Sequence, residues 1–344
     1  MAKAKVTKKK VATKKVAKPA KKPKVAAITV THGHPRSALK ATKNACVRED
    51  AAGRVWVLGH EGEAIVAYRF DGPLATRFQF GTEDGWEYPV TSFSSHGDVA
   101  YLATQVDVVR IEGDVASRLP ICAAGGPRCL AASATRVYAV FTRAEGSINA
   151  EIVQLVDGAW KPFAKGFDHL RSLTWFGDRL LVIENNQQKG YLYAADGSRT
   201  SELATSQSCM DVVTGATRFA TLTGYALEIR GADGAEQVTV SSGTVGKLVK
   251  SNASFECGTA IANDELLLHV SDRAGNKAGH LVRYDAATGA LAVHEHTARL
   301  KFPSSPSDLA IDRAGAIWLG HTTWDGKTRL LIIDPDGTTT AIPR

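Results

Sequence analysis

The sequence lacks the features that mark membrane-spanning, exported and zinc-binding proteins. It has no apolar run of the roughly 18 residues that cross a bilayer, and no apolar signal-peptide core follows its lysine-rich start. Its five cysteines are an odd number, and none stands in a CxxC or Cys/His zinc spacing. These absences predict a cytoplasmic protein with reduced thiols, with no membrane partner and no metal or other cofactor.

Acidic residues are missing before Glu49, whereas eleven lysines lie in the first 24 residues. Removing these eleven from the 42 Lys and Arg leaves 31 against 35 Asp and Glu, so the remainder carries about four negative charges. Segment 1–24 otherwise contains only Met, Ala, Val, Thr and Pro, which predicts a disordered arm.

The composition of this arm resembles that of linker-histone-like and nucleoid-associated proteins. Lysines without arginine or aromatic residues can neutralise phosphates but cannot read bases. We therefore expect either non-specific contact with nucleic acid or another polyanion, with nucleoid association, or a merely solubilising arm. The candidate contact residues are Lys8, Lys9, Lys10, Lys14, Lys15, Lys21 and Lys22.

A unit of four short strands recurs along the rest of the chain and is clearest in residues 306–344, as SDLAID, AIWLGHT, TRLLIID and TTTAIP. Seven copies align, with first strands that begin near residues 45, 91, 128, 171, 208, 256 and 307. Each copy has a large apolar residue in its second strand, namely Trp56, Tyr101, Tyr138, Leu181, Phe219, Leu267 and Trp318. A tight turn then joins strands three and four, and the average repeat is about 44 residues. This pattern predicts an all-β, seven-bladed β-propeller of four-stranded antiparallel blades over residues 25–344.

The stretches EDAAGRVWVLG and DRAGAIWLG share the order Asp, two residues, Gly, two residues, Trp. They resemble the innermost-strand pattern of NHL-type, two-component-regulator and SMP-30-like propellers, which implies the fold but not one activity. Residues 26–31 also have strand character. Whether they pair outside blade seven and cover its edge is left open by the sequence.

First strands line the channel of a propeller, so their aligned starting residues should surround one channel mouth. This ring consists of Cys46, Ser92, Cys129, Ser172, Cys209, Cys257 and Asp308. The ring can be explained by small side chains that fit where seven strands converge. The alternative is a soft-metal or redox site that uses Cys209 and Cys257, although thiolates need a lowered pKa.

The loops at the same rim are long and polar, whereas the opposite rim has mainly tight glycine turns. Binding residues commonly lie on such loops, and aromatic and arginine side chains are frequent anchors. The candidate binding residues are Trp86, Tyr88, His169, Arg171, Asn185, Asn186, Trp324 and Asp325.

Two functions fit this description. The first is a monomeric, non-catalytic scaffold whose rim binds a protein or small ligand. The second is a metal-dependent SMP-30-like hydrolase or a propeller lyase that acts at the channel mouth. The second needs several carboxylate, amide or imidazole groups at one point. In the aligned ring Asp308 is the one carboxylate, and Arg48, Glu49, Glu256 and His169 lie near it without a recognisable ligand set, so we identify no catalytic residue and favour the scaffold.

Overall fold

Seven antiparallel sheets surround a common axis and confirm the predicted seven-bladed β-propeller. The computed structural model describes residues 27–82, 92–104, 107–120, 126–141, 149–184, 188–205, 209–262, 264–273, 279–300, 306–322 and 328–342. In every blade the first of the four repeat strands is the innermost, and the others follow outward in chain order. The innermost strands of blades two to seven contact their neighbours in turn, and that of blade seven contacts that of blade one, which closes the ring.

Blade one contains β1 (Thr29–Pro35), β2 (Lys43–Glu49), β3 (Val55–Glu61), β4 (Ala64–Phe70) and β5 (Leu74–Thr82). Blade two contains β6 (Ser92–His96), β7 (Val99–Ala103), β8 (Val108–Glu112) and β9 (Val115–Arg118). Blade three contains β10 (Pro127–Ala132), β11 (Val137–Phe141), β12 (Asn149–Val156) and β13 (Ala159–Asp168).

Blade four contains β14 (Leu170–Phe176), β15 (Arg179–Glu184), β16 (Lys189–Tyr193) and β17 (Arg199–Ala204), and blade five contains β18 (Asp211–Thr214), β19 (Arg218–Leu222), β20 (Ala226–Gly231) and β21 (Glu236–Ser241). Blade six contains β22 (Ala253–Ala262), β23 (Glu265–Asp272), β24 (His280–Asp285) and β25 (Ala290–Val293), and blade seven contains β26 (Asp308–Ile311), β27 (Ile317–Thr322), β28 (Thr328–Ile333) and β29 (Thr339–Ile342).

The core lies between blades, because alternate side chains of each strand face opposite neighbours. Trp318 and Phe70 meet between blades seven and one, with ring centroids 5.0 Å apart. Trp56 stacks on Phe78 between blades one and two, with centroids 5.6 Å apart. Both tryptophans are fully buried, so the aromatic markers of the repeat are core residues.

The Asp-Gly-Trp motif folds into the same hydrogen-bonded turn in blades one and seven. Asp312 Oδ1 accepts from the amides of Ala314 (3.0 Å) and Ala316 (2.9 Å), while its Oδ2 accepts from Trp318 Nε1 at 3.1 Å. Asp50 makes the equivalent bonds, including one from Trp56 Nε1 at 2.8 Å. The glycine of each turn has positive φ, +89° at Gly315, a conformation that glycine adopts without strain. The motif therefore fixes a turn and the tryptophan that packs beneath it.

The N-terminal segment pairs with blade one and not with blade seven. Strand β1 adds a fifth strand outside β5, with Thr29 opposite Gln79 and Pro35 opposite Leu74. Pairing of residues 26–31 with the blade-seven edge, one of the two alternatives left by the sequence, is thus replaced by protection of the blade-one edge. A 3₁₀ helix, Arg36–Ala41, then crosses toward blade seven, and the buried Leu39 on it belongs to the core between these two blades.

One α-helix in the described residues, α1 (Ser242–Val249), interrupts the repeat between blades five and six. Ser241 caps it by accepting a hydrogen bond from the Thr244 amide at 3.1 Å. Val245 is buried in the core between these blades. The helix ends at Val249, and the capping residue Lys250 that follows has φ of +55°.

Candidate functional site

Six of the seven residues predicted to ring the channel mouth occupy equivalent positions on their innermost strands. Each pairs with the residue two places after the large apolar marker of the second strand, as Cys46 does with Leu58 and Asp308 with Gly320. The same holds for Ser92, Cys129, Ser172 and Cys257.

Blade five departs from this alignment, because its innermost strand begins at Asp211, two residues after Cys209. Asp211 Oδ2 accepts a hydrogen bond from the Gly258 amide of blade six at 3.1 Å. In blade two, Ser92 Oγ accepts the corresponding bond from the Leu130 amide of blade three at 3.0 Å. Asp211 therefore makes the interblade bond of this ring position, although strand pairing places Val212, not Cys209, opposite Thr221, two residues after Phe219. The alignment by spacing from Phe219 misplaced the blade-five residue.

The cysteine side chains behave as packing groups. Burial raises the pKa of the Cys46 and Cys129 thiols to about 11 and that of Cys209 to about 12. The Cys257 thiol is also raised well above its ordinary pKa by burial, and its Sγ contacts the Pro306 carbonyl oxygen at 3.6 Å. These thiols are protonated at neutral pH, which favours the interpretation as small residues over a thiolate site. In the described residues no three His, Cys, Asp or Glu side chains are arranged to hold a metal ion.

Charged side chains near the ring are paired across blades. Arg48 of blade one forms an ion pair with Asp308 of blade seven, and its guanidinium also donates to the Val47 carbonyl at 2.7 Å. Asp308 is almost fully buried, whereas 42% of the Arg48 side chain is exposed. Glu49 Oε2 accepts from the Ile311 amide of blade seven (3.2 Å) and from Thr259 Oγ1 of blade six (3.4 Å). These bonds join three blades across the channel.

Two carboxyl groups near the ring, those of Glu49 and Asp211, have a raised pKa and therefore bind a proton more readily than a free carboxyl group. Burial raises the pKa of Glu49 to about 7, although its hydrogen bonds from Ile311 and Thr259 act in the opposite direction. Burial likewise raises the pKa of Asp211 to about 6, opposed by the Arg48 charge. Both groups therefore change charge near neutral pH inside the channel.

Two of the eight predicted rim residues fall in the described part of the chain. Arg171, at the start of β14, is exposed and donates from Nη2 to the Met210 carbonyl at 3.3 Å. His169 is exposed at the corner between β13 and β14, where it has φ of +59°. The remaining predictions, Trp86, Tyr88, Asn185, Asn186, Trp324 and Asp325, lie outside the described residues, as do the lysines of the arm.

The structure also places residues at this rim that the sequence analysis did not select. Met210 is 41% exposed and Tyr225, in the turn between β19 and β20, is 53% exposed. The Arg273 guanidinium lies 3.9 Å from the centroid of the Tyr225 ring. Their signal in the sequence is weak, because each is one residue in an unremarkable turn.

Comparisons with known proteins agree on the fold. No protein-family model and no curated protein matches the sequence. A catalytically inactive variant of virginiamycin B lyase from Staphylococcus aureus, solved with Quinupristin, is 14% identical with a TM-score of 0.58, covering 85% of this chain and 96% of that one. The WD40 domain of Neurospora crassa Pan2 is 10% identical with a TM-score of 0.55, covering 90% and 91%. YCF48 from Cyanidioschyzon merolae is 12% identical with a TM-score of 0.55, covering 90% and 99%.

At such identities the likeness shows a shared propeller fold and no shared activity. The three proteins are a lyase variant, a WD40 domain and YCF48, so the shared fold alone does not distinguish a binding protein from an enzyme. No helix in the described residues is long and apolar enough to cross a membrane.

Proposed function

We propose that this protein is a non-catalytic binding scaffold. Its loop-rich rim holds a protein or small ligand around the channel mouth, and its lysine arm makes non-specific contact with nucleic acid or another polyanion. The proposed rim residues are Trp86, Tyr88, His169, Arg171, Asn185, Asn186, Trp324 and Asp325.

One observation carries the proposal: the polar groups at the channel mouth are already engaged in joining blades. Arg48 pairs with Asp308, Asp211 accepts from a backbone amide of the next blade, and Glu49 accepts from two blades at once. Groups so engaged stabilise the ring but are poorly placed to act on a substrate. The exposed Arg171 beside the mouth is, by contrast, suited to recognition.

The test compares three versions of the full chain as bait for proteins from a lysate, followed by quantitative mass spectrometry. The variant Arg171→Glu combined with Trp324→Ala should lose captured partners by roughly fivefold or more, because two anchors at one rim are removed. Lys161→Glu is the matched control, since Lys161 is an exposed cation on β13 next to the turn of the opposite rim. Equal capture by all three versions would contradict the proposed rim.

The enzymatic alternative predicts a different result. A hydrolase or lyase of the SMP-30-like kind would be purified with a divalent metal near one equivalent. Elemental analysis of the full chain that finds such a metal would overturn the scaffold assignment.

A further inference from the structure

A continuous set of exposed cationic, aromatic and apolar side chains crosses the loop-rich rim from blade four to the helix between blades five and six. We call it the cationic band, and its members are Arg171, Met210, Tyr225, Lys247, Lys250 and Arg273. All six are exposed. The band extends outward from the channel mouth and deepens the function proposed above, on which it rests.

Hydrogen bonds to backbone hold the inner half of the band in place. Arg171 donates to the Met210 carbonyl at 3.3 Å. Arg273 Nη2 and Ser254 Oγ both donate to the Gly224 carbonyl, at 2.6 and 3.1 Å. The Tyr225 carbonyl accepts from the first amide of α1, that of Ser242, at 2.7 Å. A surface fixed in this way loses little conformational entropy when a ligand binds.

The composition of the band is that of a protein-binding surface. Tyrosine, arginine and methionine are enriched at interfaces, and a polar, solvent-accessible rim surrounds the buried centre. Arg273 covers one face of the Tyr225 ring at 3.9 Å from its centroid, which restricts stacking of a nucleic-acid base on that face. The exposed Met210 supplies an adaptable apolar contact beside it.

The outer half of the band is a groove between α1 and the chain that leaves it. The groove has a volume of about 460 Å³ and is lined in part by Lys247, Lys250, Ser251 and Asn252. Gly246 allows the close approach, since a Cβ there would lie 2.7 Å from the Ser251 carbonyl oxygen. The Ser251 Oγ is buried and has no hydrogen-bond partner among the described residues. Two lysines therefore line the groove, and one unpartnered hydroxyl lies buried beside it.

The charge of the band is strongly of one sign. Four of its members are cations, while the neighbouring Asp211 is turned onto the Gly258 amide and Asp272 is half-buried. We propose that the cationic band binds an acidic peptide: one large apolar side chain contacts Met210 and Tyr225, and flanking carboxylates contact Arg171, Arg273 and the α1 groove.

The experiment selects octapeptides from a random phage-displayed library on the immobilised full chain at physiological salt. The most enriched peptide is then synthesised with a fluorescein label, and its Kd is measured by anisotropy. We expect several Asp or Glu around one large apolar residue. A second peptide with those acids changed to Asn and Gln should bind at least tenfold more weakly.

Variants of the full chain locate the binding surface, and all of them keep the arm, so its contribution is the same throughout. Tyr225→Ala and the pair Lys247→Ala with Lys250→Ala should each weaken binding about tenfold. Val115→Ala and Lys161→Ala, exposed residues near the opposite rim, should change it less than twofold. All variants should keep the parent Tm within about 2 °C, which excludes misfolding as the cause.

The other possible results contradict the proposal that the cationic band binds an acidic peptide. Enriched peptides without acidic bias, or peptides whose binding ignores the band variants, contradict it. If binding depends instead on Trp324→Ala, the scaffold survives and the band does not, whereas no enrichment over an uncoated surface contradicts both. If band variants weaken the binding of short oligothymidylate tenfold and no acidic peptide is selected, the surface binds nucleic acid and the peptide proposal is wrong.

Discussion

The junction between blades seven and one and the rim of blades four to six use similar residue types for opposite purposes. At the junction Trp318 is fully buried, and Arg36 pairs with Asp334 at 2.9 Å while its guanidinium lies 5.1 Å from the centroid of the Trp318 ring. At the rim, Arg273 lies over Tyr225, yet the tyrosine remains 53% exposed. The first arrangement closes the ring, whereas the second leaves an aromatic and a cation available to a partner.

This contrast teaches that the most recognisable motif of the chain serves the fold. The Asp and Gly of this motif in blades one and seven form turns, and its Trp packs in the core. The exposed binding candidates Arg171 and Tyr225 belong to blades four and five, in which that motif is faint. We therefore propose that stability and binding are carried by separate residues, and four predictions test this separation.

The largest effect is expected from truncating an aromatic residue in each region. Trp318→Ala should lower the free energy of unfolding by about 3–5 kcal/mol, because a large buried side chain is replaced by a cavity. Tyr225→Ala should lower it by no more than about 0.5 kcal/mol, since the ring is mostly in solvent. Urea denaturation followed by tryptophan fluorescence and circular dichroism measures both. Similar losses in the two variants would break the comparison.

A smaller loss is expected when the turn of the motif is disrupted. Asp312→Ala leaves the Ala314 amide, the Ala316 amide and Trp318 Nε1 without their acceptor, so we expect a loss of about 2–3 kcal/mol. Asp336→Ala is the matched control, because Asp336 is an exposed turn aspartate that accepts from the Thr338 amide at 2.8 Å. The control should lose clearly less stability than Asp312→Ala, because substitutions at exposed turn positions have small effects. Equal losses would show that the motif has no special role in closing the ring.

Much of the fold was predictable because repeated spacing constrains it many times over. The markers Trp56 and Trp318 recur with their Asp and Gly, and one alignment then places all seven blades. The same periodicity placed Cys46, Ser92 and Asp308 at equivalent positions on their strands, since alternation along a strand leaves few choices of register.

The remainder depends on local departures from the repeat, which periodicity cannot reveal. In blade five the innermost strand begins two residues after Cys209, and Asp211 makes the interblade bond there. Strand β1 pairs with β5, and the following 3₁₀ helix places Leu39 in the core between blades seven and one, which are contacts between distant segments. Among the described residues the helix α1 and the contact of Arg273 with Tyr225 occur once each, so the repeat does not predict them.

The third prediction concerns the channel, where Glu49 links the junction to blade six. Its pKa is raised from 4.5 to about 7 in the folded protein, so the folded state binds the proton more tightly than the unfolded state. Stability must then fall as pH rises through the window from about 4.5 to 7. Glu49→Gln keeps an oxygen acceptor for Ile311 and Thr259 without this titration. Relative to the variant, the parent should lose roughly 2–3 kcal/mol between pH 5 and pH 8.

Chemical denaturation at a series of pH values checks this third prediction. Asp211 titrates in a neighbouring window, with its pKa raised from 3.8 to about 6, and its contribution is common to both proteins and cancels. If the free energy of unfolding of the parent and of Glu49→Gln changes with pH in the same way, the raised pKa of Glu49 is contradicted.

The smallest effect on stability is expected from changes in the arm. We expect the arm to contribute to polyanion binding and not to stability. Changing Lys8, Lys9, Lys10, Lys14, Lys15, Lys21 and Lys22 to Gln in the full chain should leave the unfolding free energy within about 0.5 kcal/mol, because the composition of segment 1–24 cannot form a core. The same change should abolish retention on heparin at low salt, since counterion release from these charges supplies the affinity. Lys161→Gln together with Lys189→Gln, two surface lysines of the propeller, controls for the loss of charge from outside the arm. Retention that persists in the arm variant but falls in the control would transfer polyanion binding from the arm to the propeller surface.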